Sequence, residues 1–460
     1  MRNTTDTIAA IATAMTNSGI GIIRISGDDA IPIIKKIFYP KNNKKDIEKV
    51  DSYTAHYGFI RDGEEIIDEC IVLIMRAPST YTKEDVVEID SHGGVVVMRK
   101  ILELVFQNGA RPAEPGEFTK RAFLNGRIDL SQAEAVMDLI SAKNEFAMES
   151  SLKQLRGSVK RKIQDLRKSI IHQVAFIESA LDDPEHYSVD GYGEQLLEVI
   201  KPVKKEIEKL IASSSDGKIL KEGIKTAIVG KPNAGKSSLL NVMVGEDRAI
   251  VTEIAGTTRD TLEENIQIHG IPLQLIDTAG IRDTQDIVEK IGVTKAKDTL
   301  EDADLILYVI DGSKEIDEDD KTIMSLIEGK KVITLVNKAD LDKKVDIDFI
   351  KQKVKGEVII VSAKEETGID EFYTALKDLF FEGQLEFNDE IYITNMRHKQ
   401  ALVQAKESLA QVEISVEQEM PEDFYSIDLM NAYEELGFII GESLEEDLVN
   451  EIFREFCMGK

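Results

Sequence analysis

Residues 230–238 read GKPNAGKSS and directly follow the apolar run TAIV at 226–229. The spacing Gly230-x4-Gly235-Lys236-Ser237 is typical of a phosphate-binding loop between a strand and a helix. Glycines let backbone N–H groups surround phosphate oxygens, Lys236 can reach the β- and γ-phosphates, and the Ser237 hydroxyl can hold Mg²⁺. The pattern therefore predicts a nucleotide site. The loop residues assigned to it are Asn233, Ala234, Gly235, Lys236, Ser237 and Ser238.

Three further motifs follow this loop, each at the end of a predicted strand. They are Asp277-Thr278-Ala279-Gly280, Asn337-Lys338-Ala339-Asp340 and Ser362-Ala363-Lys364. The Asp277 carboxylate would serve the Mg²⁺ shell, and the Gly280 amide would meet the γ-phosphate. The Asp340 carboxylate can accept from both N1–H and the exocyclic amine of guanine, a pair of donors that adenine lacks. The third motif supplies a backbone amide for the guanine carbonyl oxygen, so the four motifs together predict GTP binding.

The residue that orients the attacking water is less obvious from the sequence. Ras-like proteins use a glutamine directly after the glycine that corresponds to Gly280. This chain has Ile281 there, which can neither donate nor accept a hydrogen bond. Glu289 is the nearest plausible carboxylate, and the alternative is that Glu289 is a solvated residue in an acidic stretch.

Apolar runs alternate with amphipathic helical patterns from residue 224 to about residue 380. The runs are IKTAIVG, LQLIDTAG, DLILYVIDG, KVITLVNKAD and EVIIVSAK. Nearly continuous apolar strands that alternate with helices are typical of a doubly wound, mostly parallel sheet with helices on both faces. Because the chain outside this region has α+β and helical patterns, we predict a multidomain protein of the α+β and α/β classes.

The flanking patterns predict the domain organisation. Residues 1–118 alternate short β-rich runs with one helix, at about 94–107, and form an N-terminal α+β module. Residues 119–217 are helical, with capping-box spacing at Ser131–Glu134, and the polar stretch 213–223 reads as a linker. Residues 218–380 are the GTPase domain, and the helical pattern returns in 381–460. We interpret the GTPase domain as an insertion into a helical domain, which surface loops tolerate.

The composition limits the class of protein. The 460 residues carry a formal net charge of −28, which argues against a protein that coats nucleic acid with its whole surface. Cys70 and Cys457 are the only cysteines, which excludes a disulfide framework and favours a reducing, cytoplasmic location. No apolar run is long enough for a membrane span, and we expect no signal peptide. The basic run 153–168 is either a solvated helix face or a local phosphate-binding surface.

The whole chain resembles a known family. The order of an α+β module, a helical domain and an inserted GTPase domain resembles the tRNA modification GTPase MnmE (TrmE) family. The motifs that carry the resemblance are GIGIIRISG, HGG, PGEFTKRAFLNGRIDL, GKPNAGKSS, IAGTTRD, DTAGIR, NKAD and a C-terminal C-x-G-K. Because these motifs run from near the start to the last residue, the resemblance spans nearly all 460 positions.

The resemblance implies an activity and its partners. Family members form homodimers and work in a heterotetramer with the flavoprotein MnmG (GidA). They add an aminomethyl or carboxymethylaminomethyl group to carbon 5 of the wobble uridine of certain tRNAs. The one-carbon unit comes from a reduced folate, 5-formyl- or 5,10-methylene-tetrahydrofolate, which the N-terminal module binds. GTP hydrolysis depends on K⁺ as well as Mg²⁺, and on dimerisation of the GTPase domains.

The resemblance also implies roles for particular residues. Asn233 would bind K⁺ with backbone groups of Thr252, Ile254 and Thr257. Thr258 would join Ser237 on Mg²⁺, and Glu289 matches the catalytic glutamate. The folate contacts would be Arg24, Glu88, Arg127 and Lys460. Arg24 and Glu88 could equally be a surface charge and one member of a cross-strand ion pair.

The C-terminal cysteine and two departures from the family pattern complete the comparison. Cys457 matches a proposed catalytic cysteine, whose thiolate could add to carbon 6 of uracil or act as an acid or base. The alternative for Cys457 is a small hydrophobic residue at a helix end. Arg127 stands where many relatives have lysine, and Lys83 stands where the family usually has glycine.

Two other classes of function remain open from the sequence. One is a GTP-controlled switch for RNA or ribosome assembly without one-carbon chemistry, and the other is a folate-dependent methyltransferase with a regulatory GTPase domain. The switch leaves Cys457, Lys460 and the N-terminal module unexplained.

Overall fold

The computed structural model describes residues 6–42, 45–183, 185–186, 191–246, 264–268, 271–276, 300–381, 391–442, 446–454, 456 and 459. These residues form two compact units. The first unit takes the described residues of Met1–Ile140, Lys153–Ala175 and Met430–Lys460. The second takes those of Ser141–Leu152 and Phe176–Leu429.

A seven-stranded sheet lies at the centre of the first unit. Its strands are β1 (Ile8–Ile11), β2 (Ser18–Ser26), β3 (Phe38–Pro40), β4 (Thr54–Asp62), β5 (Glu65–Met75), β6 (Val86–Gly93) and β7 (Arg111–Pro112). Their order in the sheet is β3-β4-β5-β6-β2-β1-β7. All neighbours are antiparallel except β1 and β7, which run parallel.

The alternation of side chains along these strands separates a covered face from an open face. Helices α1 (Ala30–Ile37) and α2 (Val95–Gln107) pack on the covered face, where Ile25, Val72 and Ile89 are fully buried. The helix predicted at 94–107 is therefore confirmed as α2. The open face carries the alternate residues, among them Tyr57 and Ile71.

Helices follow the sheet along the chain. A short 3-10 helix spans Ile47–Lys49, and the next helices are α3 (Glu117–Leu124), α4 (Leu130–Ile140), α5 (Glu145–Leu155), α6 (Ser158–Asp182) and α7 (Tyr192–Glu222). The capping box predicted at Ser131–Glu134 is wrong by two residues. The Asp129 carboxylate accepts from the Gln132 backbone N–H, and the Gln132 side chain accepts from the Asp129 backbone N–H, both at 3.1 Å. The Ser131 hydroxyl donates to Asp129 instead of capping the helix.

The polar linker predicted at 213–223 is also wrong, because α7 continues to Glu222. Packing overrides the weak helix propensity of this serine- and glycine-containing stretch. A Cβ on Gly217 would lie 2.7 Å from the carbonyl oxygen of Ile393, so the absence of a side chain permits a close approach of the two backbones. The helix ends at Gly223, whose φ of +88° is left-handed.

A six-stranded sheet lies in the second unit. Its strands are β8 (Ile224–Val229), β9 (Glu264–Ile268), β10 (Ile271–Leu275), β11 (Leu305–Asp311), β12 (Val332–Asn337) and β13 (Gly356–Ile360). The order is β13-β12-β11-β8-β10-β9, and only β9 pairs antiparallel. The remaining helices are α8 (Lys236–Glu246), α9 (Glu318–Leu326), α10 (Ile347–Lys353), α11 (Ile369–Phe381), α12 (Met396–Glu417), α13 (Glu422–Ile440) and α14 (Glu446–Arg454).

The burial of the second sheet confirms the predicted doubly wound, mostly parallel fold. Every residue of β11 and β12 is buried, and separate hydrophobic clusters form around Leu307 and Ile306, which point to opposite faces. Since the parallel strands end at the same edge, the residues that follow β8, β11, β12 and β13 meet there. Among the described residues, no helix is long and apolar enough to cross a membrane.

Candidate functional site

The phosphate-binding loop lies between β8 and α8, as the sequence predicts. Gly230 has a φ of +150° and Gly235 a φ of +96°, a region that side chains disfavour. A Cβ on Gly230 would lie 2.2 Å from the Val309 carbonyl oxygen, and one on Gly235 would lie 2.1 Å from Asn337 Nδ2. Both glycines are therefore required by conformation and by space.

Two side chains of the loop have defined positions. Lys236 Nζ donates to the carbonyl oxygens of Gly230 at 2.5 Å and Lys231 at 3.0 Å, so the ammonium group lies inside the curve of the loop. Asn233 is exposed and has a left-handed φ of +62°, which asparagine tolerates better than most residues. Ser237 and Ser238 occupy the first turn of α8, where helix N–H groups favour anions.

The buried side chain of Asn337 joins the phosphate loop to the third predicted motif. Its Nδ2 donates to the Ala234 carbonyl oxygen at 3.0 Å, and its Oδ1 accepts from the Ala363 backbone N–H at 3.1 Å. Asn337 is only 2% exposed. The side chain thus fixes the spacing between two segments that lie far apart in the sequence.

Asp340 and Ser362 also lie together. The Ser362 hydroxyl donates to the Asp340 carboxylate at 2.8 Å, and Lys364 Nζ lies 3.7 Å from the same carboxylate. The hydrogen bond from Ser362 lowers the pKa of Asp340, with help from Lys364. The carboxylate is therefore ionised at neutral pH, as a guanine acceptor must be.

Sequence reasoning missed the partner of Lys338. Lys338 has a left-handed φ of +66°, and its Nζ donates to Asp311 Oδ2 at 2.7 Å. Burial opposes ionisation of Asp311, but hydrogen bonds from Lys338 and Ser313 outweigh it and lower the pKa of Asp311. An acidic residue at the end of the buried run DLILYVIDG is a signal that could have identified this residue.

Arg24 and Glu88 lie side by side on β2 and β6 of the first unit. Arg24 Nε is 2.7 Å from Glu88 Oε1, which is the cross-strand ion pair that the sequence left open. Arg24 also donates to the carbonyl oxygen of Gly459 at 3.1 Å, and its guanidinium lies 5.6 Å from the Phe118 ring centroid. The site thus combines a cation, a carboxylate and the penultimate residue of the chain.

The C-terminal segment 455–460 packs against other parts of the first unit at Phe456 and Gly459, its two described residues. Gly459 has a φ of +82°, and a Cβ there would lie 2.3 Å from the Ile11 carbonyl oxygen. Phe456 is buried, with its ring 4.8 Å from that of Phe453. A Cβ on Gly116 would lie 2.6 Å from Phe456 Cβ. Tertiary packing therefore fixes the position of the segment at Phe456 and Gly459.

Arg127 stacks on an aromatic ring of the same region. Its guanidinium lies 4.7 Å from the Tyr81 ring centroid. Tyr81 packs against the small hydrophobic cluster of Ile8, Ala10, Ala113 and Phe118, and Arg24 lies over Phe118 of that cluster. The predicted cations Arg24 and Arg127 therefore stack on neighbouring members of one cluster.

Lys83 lies in a turn with an unusual backbone conformation. Its φ of +60° is left-handed, the conformation that glycine adopts most easily. The Lys83 ammonium donates to the Asn125 carbonyl oxygen at 2.9 Å. A lysine therefore occupies a backbone conformation that favours glycine, and its side chain is held by a hydrogen bond.

A buried network of charges near this site was not expected from the sequence. Arg121 is only 5% exposed at its side chain, and it contacts the carboxylates of Asp6, Glu84 and Glu117 at 2.9, 3.0 and 3.2 Å. Burial raises the pKa of Glu117. The hydrogen bond from Arg111 and the charges of Arg111 and Arg121 outweigh burial, so the pKa of Glu117 is lowered. The network joins α3 to the segment that follows β5 and to the start of the chain.

Part of the basic run 153–168 is used within the first unit. Arg167 Nη1 lies 2.5 Å from Glu442 Oε2, and its guanidinium lies 3.9 Å from the Tyr433 ring centroid. Lys160 Nζ lies 3.6 Å from Asp129. These two cations hold helices together. Cys70 is a buried thiol whose pKa is raised to about 12 by burial, and it acts as a small hydrophobic residue.

Several predicted site residues lie outside the described residues and stay predictions. They are Thr252, Ile254, Thr257, Thr258, Asp277, Thr278, Ala279, Gly280, Glu289, Cys457 and Lys460.

Comparisons with known proteins cover both ends of the chain. Residues 130–457 match the family model of the MnmE helical domain, and residues 7–127 match that of the GTP-binding protein TrmE N-terminus. The tRNA modification GTPase MnmE of Lachnoclostridium phytofermentans is 59% identical over 456 residues, which are 99% of this chain and 100% of that protein. The protein of the same name from Thermoanaerobacter pseudethanolicus is 51% identical over 458 residues, 99% of each chain.

One solved structure resembles part of the chain in sequence. The G domain of the T. maritima FeoB iron transporter is 28% identical, with a TM-score of 0.26, over 34% of this chain and 98% of that one.

Proposed function

The chain belongs to the MnmE family of tRNA modification GTPases, and we propose that it hydrolyses GTP while a group is added to the wobble uridine of certain tRNAs. The group is aminomethyl or carboxymethylaminomethyl at carbon 5, and the proposed partner is the flavoprotein MnmG (GidA). The observation that carries the proposal is similarity to MnmE relatives over 99% of the chain, which includes the N-terminal module and the C-terminal segment. A switch GTPase would need only the second sheet and its loops.

The described loops fit a guanine nucleotide with Mg²⁺. Gly230 and Gly235 let the loop pack closely against Val309 and Asn337, and Asp340 offers an ionised carboxylate for the base. Lys236 and Ser237 would hold the phosphates and Mg²⁺, with Thr258 as a second proposed ligand of the metal. When bound, Mg²⁺ neutralises charge on the phosphates.

We assign K⁺ to Asn233, together with backbone groups of Thr252, Ile254 and Thr257, and Glu289 to the positioning of water. The exposed Asn233 carbonyl supports this, because amide oxygens are hard ligands at the loop where negative charge develops. GTP turnover should be at least about tenfold faster in KCl than in NaCl at equal ionic strength. Asn233→Ala should remove the difference. Equal rates in the two salts for the unaltered protein would contradict the assignment.

A reduced folate is the proposed source of the one-carbon unit. Arg24, Arg127 and Lys460 would bind carboxylates of the glutamate tail, and Glu88 would bind the pterin edge. The proximity of Arg24, Glu88 and Gly459 supports this, since Lys460 is the neighbour of Gly459 in the sequence. Cys457, two residues before it in sequence, is a candidate for the chemistry at uracil.

The open face of the first sheet supports a homodimer. Tyr39, Tyr57 and Ile71 on this face are each 44–45% exposed, and such a set of neighbouring apolar residues is typical of a surface covered by another chain. A tRNA substrate and the free thiol of Cys70 are consistent with a cytoplasmic location.

Mass spectrometry of wobble uridines tests the proposed function. In a strain that lacks this chain, the carbon 5 group should be absent. The unaltered chain and the surface variant Lys209→Ala should restore it, whereas Lys236→Ala should not. Lys209 is a suitable control because it forms an exposed pair with Glu206 on α7. A normal uridine spectrum in the deletion strain would overturn the proposal and favour the GTP-controlled switch.

A further inference from the structure

The segment 311–320 runs from the last residue of β11 to the first turn of α9. It contains none of the nucleotide-binding motifs but contacts two of them. Its first contact is to the phosphate loop. Lys231 Nζ lies 2.7 Å from Asp317 Oδ2 and 2.7 Å from Asp320 Oδ2. The Asp320 side chain is 3% exposed and that of Lys231 is 17% exposed, so their ion pair is largely removed from solvent, whereas the Asp317 side chain is 56% exposed.

This contact reaches the lysine that is expected to bind phosphate. The carbonyl oxygen of Lys231 accepts from Lys236 Nζ at 3.0 Å. The Lys231 side chain thus pairs with the start of α9, while the Lys231 backbone carbonyl accepts from Lys236. The position of the first turn of α9 therefore sets the position of the carbonyl group next to Lys236.

The second contact is to the guanine-binding motif. Asp311, 4% exposed at its side chain, accepts from Lys338 Nζ at 2.7 Å. Gly312 donates its backbone N–H to the Asn337 carbonyl oxygen at 2.8 Å. A Cβ on Gly312 would lie 2.8 Å from that oxygen, so a side chain there would displace the segment from Asn337. One segment thus contacts both halves of the nucleotide site.

We propose that segment 311–320 is an electrostatic clamp that positions the phosphate loop through Lys231 and the guanine loop through Lys338. Lys231, Asp311 and Asp320 are positioning residues of the GTPase, and none of them needs to touch the nucleotide. Asp320 in the first turn of α9 pairs with the phosphate loop, and Asp311 at the end of β11 pairs with the guanine loop, so one short stretch of chain brings an acidic residue to each loop.

Helix capping alone does not account for the pairing with Lys231. Asp317 caps α9 by accepting from the backbone N–H groups of Asp319 and Asp320, and Asp320 completes a capping box by accepting from the Asp317 N–H. These bonds need no lysine. Asp320→Asn can keep the capping acceptor while it removes the charge that faces Lys231.

Competition binding of GDP and IDP to the full-length protein tests the clamp. The two nucleotides share their phosphates, but IDP lacks the exocyclic amine of guanine. Asp320→Asn and Lys231→Met should each weaken both nucleotides equally, by about tenfold. Asp311→Asn should weaken GDP more than IDP. It releases Lys338 and so disturbs Asp340 in the same motif, which accepts from the exocyclic amine that IDP lacks. The Lys231→Met/Asp320→Asn double variant should be no weaker than Lys231→Met, since the two side chains act as a pair.

Two further variants separate positioning from loss of stability. Lys231→Arg should retain affinity within about threefold, because a guanidinium can pair with both carboxylates. Glu318→Gln removes a carboxylate from the same turn of α9, but one that pairs with exposed Lys321, and should change nothing. The clamp is overturned if Asp320→Asn and Asp311→Asn both bind GDP within about twofold of the unaltered protein. It is equally overturned if Asp311→Asn weakens GDP and IDP to the same extent.

Discussion

Asn337→Ala is expected to lower the affinity of the full-length chain for GDP and GTP by roughly 100-fold or more. The substitution removes the donor to Ala234 and the acceptor for Ala363, and so breaks the link between the phosphate loop and the third motif. It leaves the Ala234 carbonyl and the Ala363 amide without these bonds at a position that is only 2% exposed. Isothermal titration with GDP measures the effect.

Asn337→Asp and Asn395→Ala make this experiment selective. Asn337→Asp keeps the acceptor for Ala363 but turns a buried carboxylate oxygen towards the Ala234 carbonyl, so its affinity should be at least as low as that of Asn337→Ala. Asn395 caps α12 by accepting from the Arg397 N–H at 2.8 Å, and Asn395→Ala should reduce stability without changing GDP affinity. Unchanged GDP affinity in a folded Asn337→Ala protein would contradict the bridging role.

Arg121→Met is expected to destabilise the first unit by about 3 kcal/mol at neutral pH. The substitution leaves three carboxylates, on Asp6, Glu84 and Glu117, without their shared buried cation. Arg111 still pairs with Asp6 and Glu117, which limits the loss. Scanning calorimetry of the full-length chain should show a lower melting temperature for one transition.

The destabilisation by Arg121→Met should shrink as the pH falls. In the folded chain the pKa values of Asp6 and Glu117 are lowered from 3.8 and 4.5. Burial opposes both shifts, and the hydrogen bonds and charges of Arg111 and Arg121 outweigh it. The stabilisation is therefore fully present above about pH 4.5 and is lost as the pH falls through the lowered values. A difference in melting temperature that stays constant with pH would contradict this origin.

Arg454→Met provides a control for the loss of an arginine. Arg454 pairs with Glu451 on the surface of α14, and the two side chains are 73% and 69% exposed. Solvent screens such a pair, so its removal should leave the melting temperature unchanged.

The phosphate loop and the parallel strands of the second sheet could be predicted from the sequence, whereas the antiparallel strand β9 was missed. The loop and the parallel strands each depend on residues that are close together along the chain. The glycine spacing of 230–235 defines one turn, and the apolar pattern of β11 and β12 defines strands that are buried on both faces. Errors arose where local signals competed. The polar stretch 213–223 resembles a linker, but packing of Gly217 against Ile393 keeps it helical.

Only the tertiary structure decided which distant residues meet. Arg24 and Gly459 are 435 positions apart, and Asn337 and Ala234 are 103 apart. Nothing near Lys231 in the sequence indicates that Asp320 is its partner. The contacts of Asn337 and Lys231 arise because the parallel strands end at one edge of a sheet. The contact of Arg24 arises because Gly459 packs against Ile11. The sequence by itself determined the residues with the chemistry to bind GTP, whereas packing determined which side chains hold them in place, because a contact between distant residues depends on the path of all the chain between them.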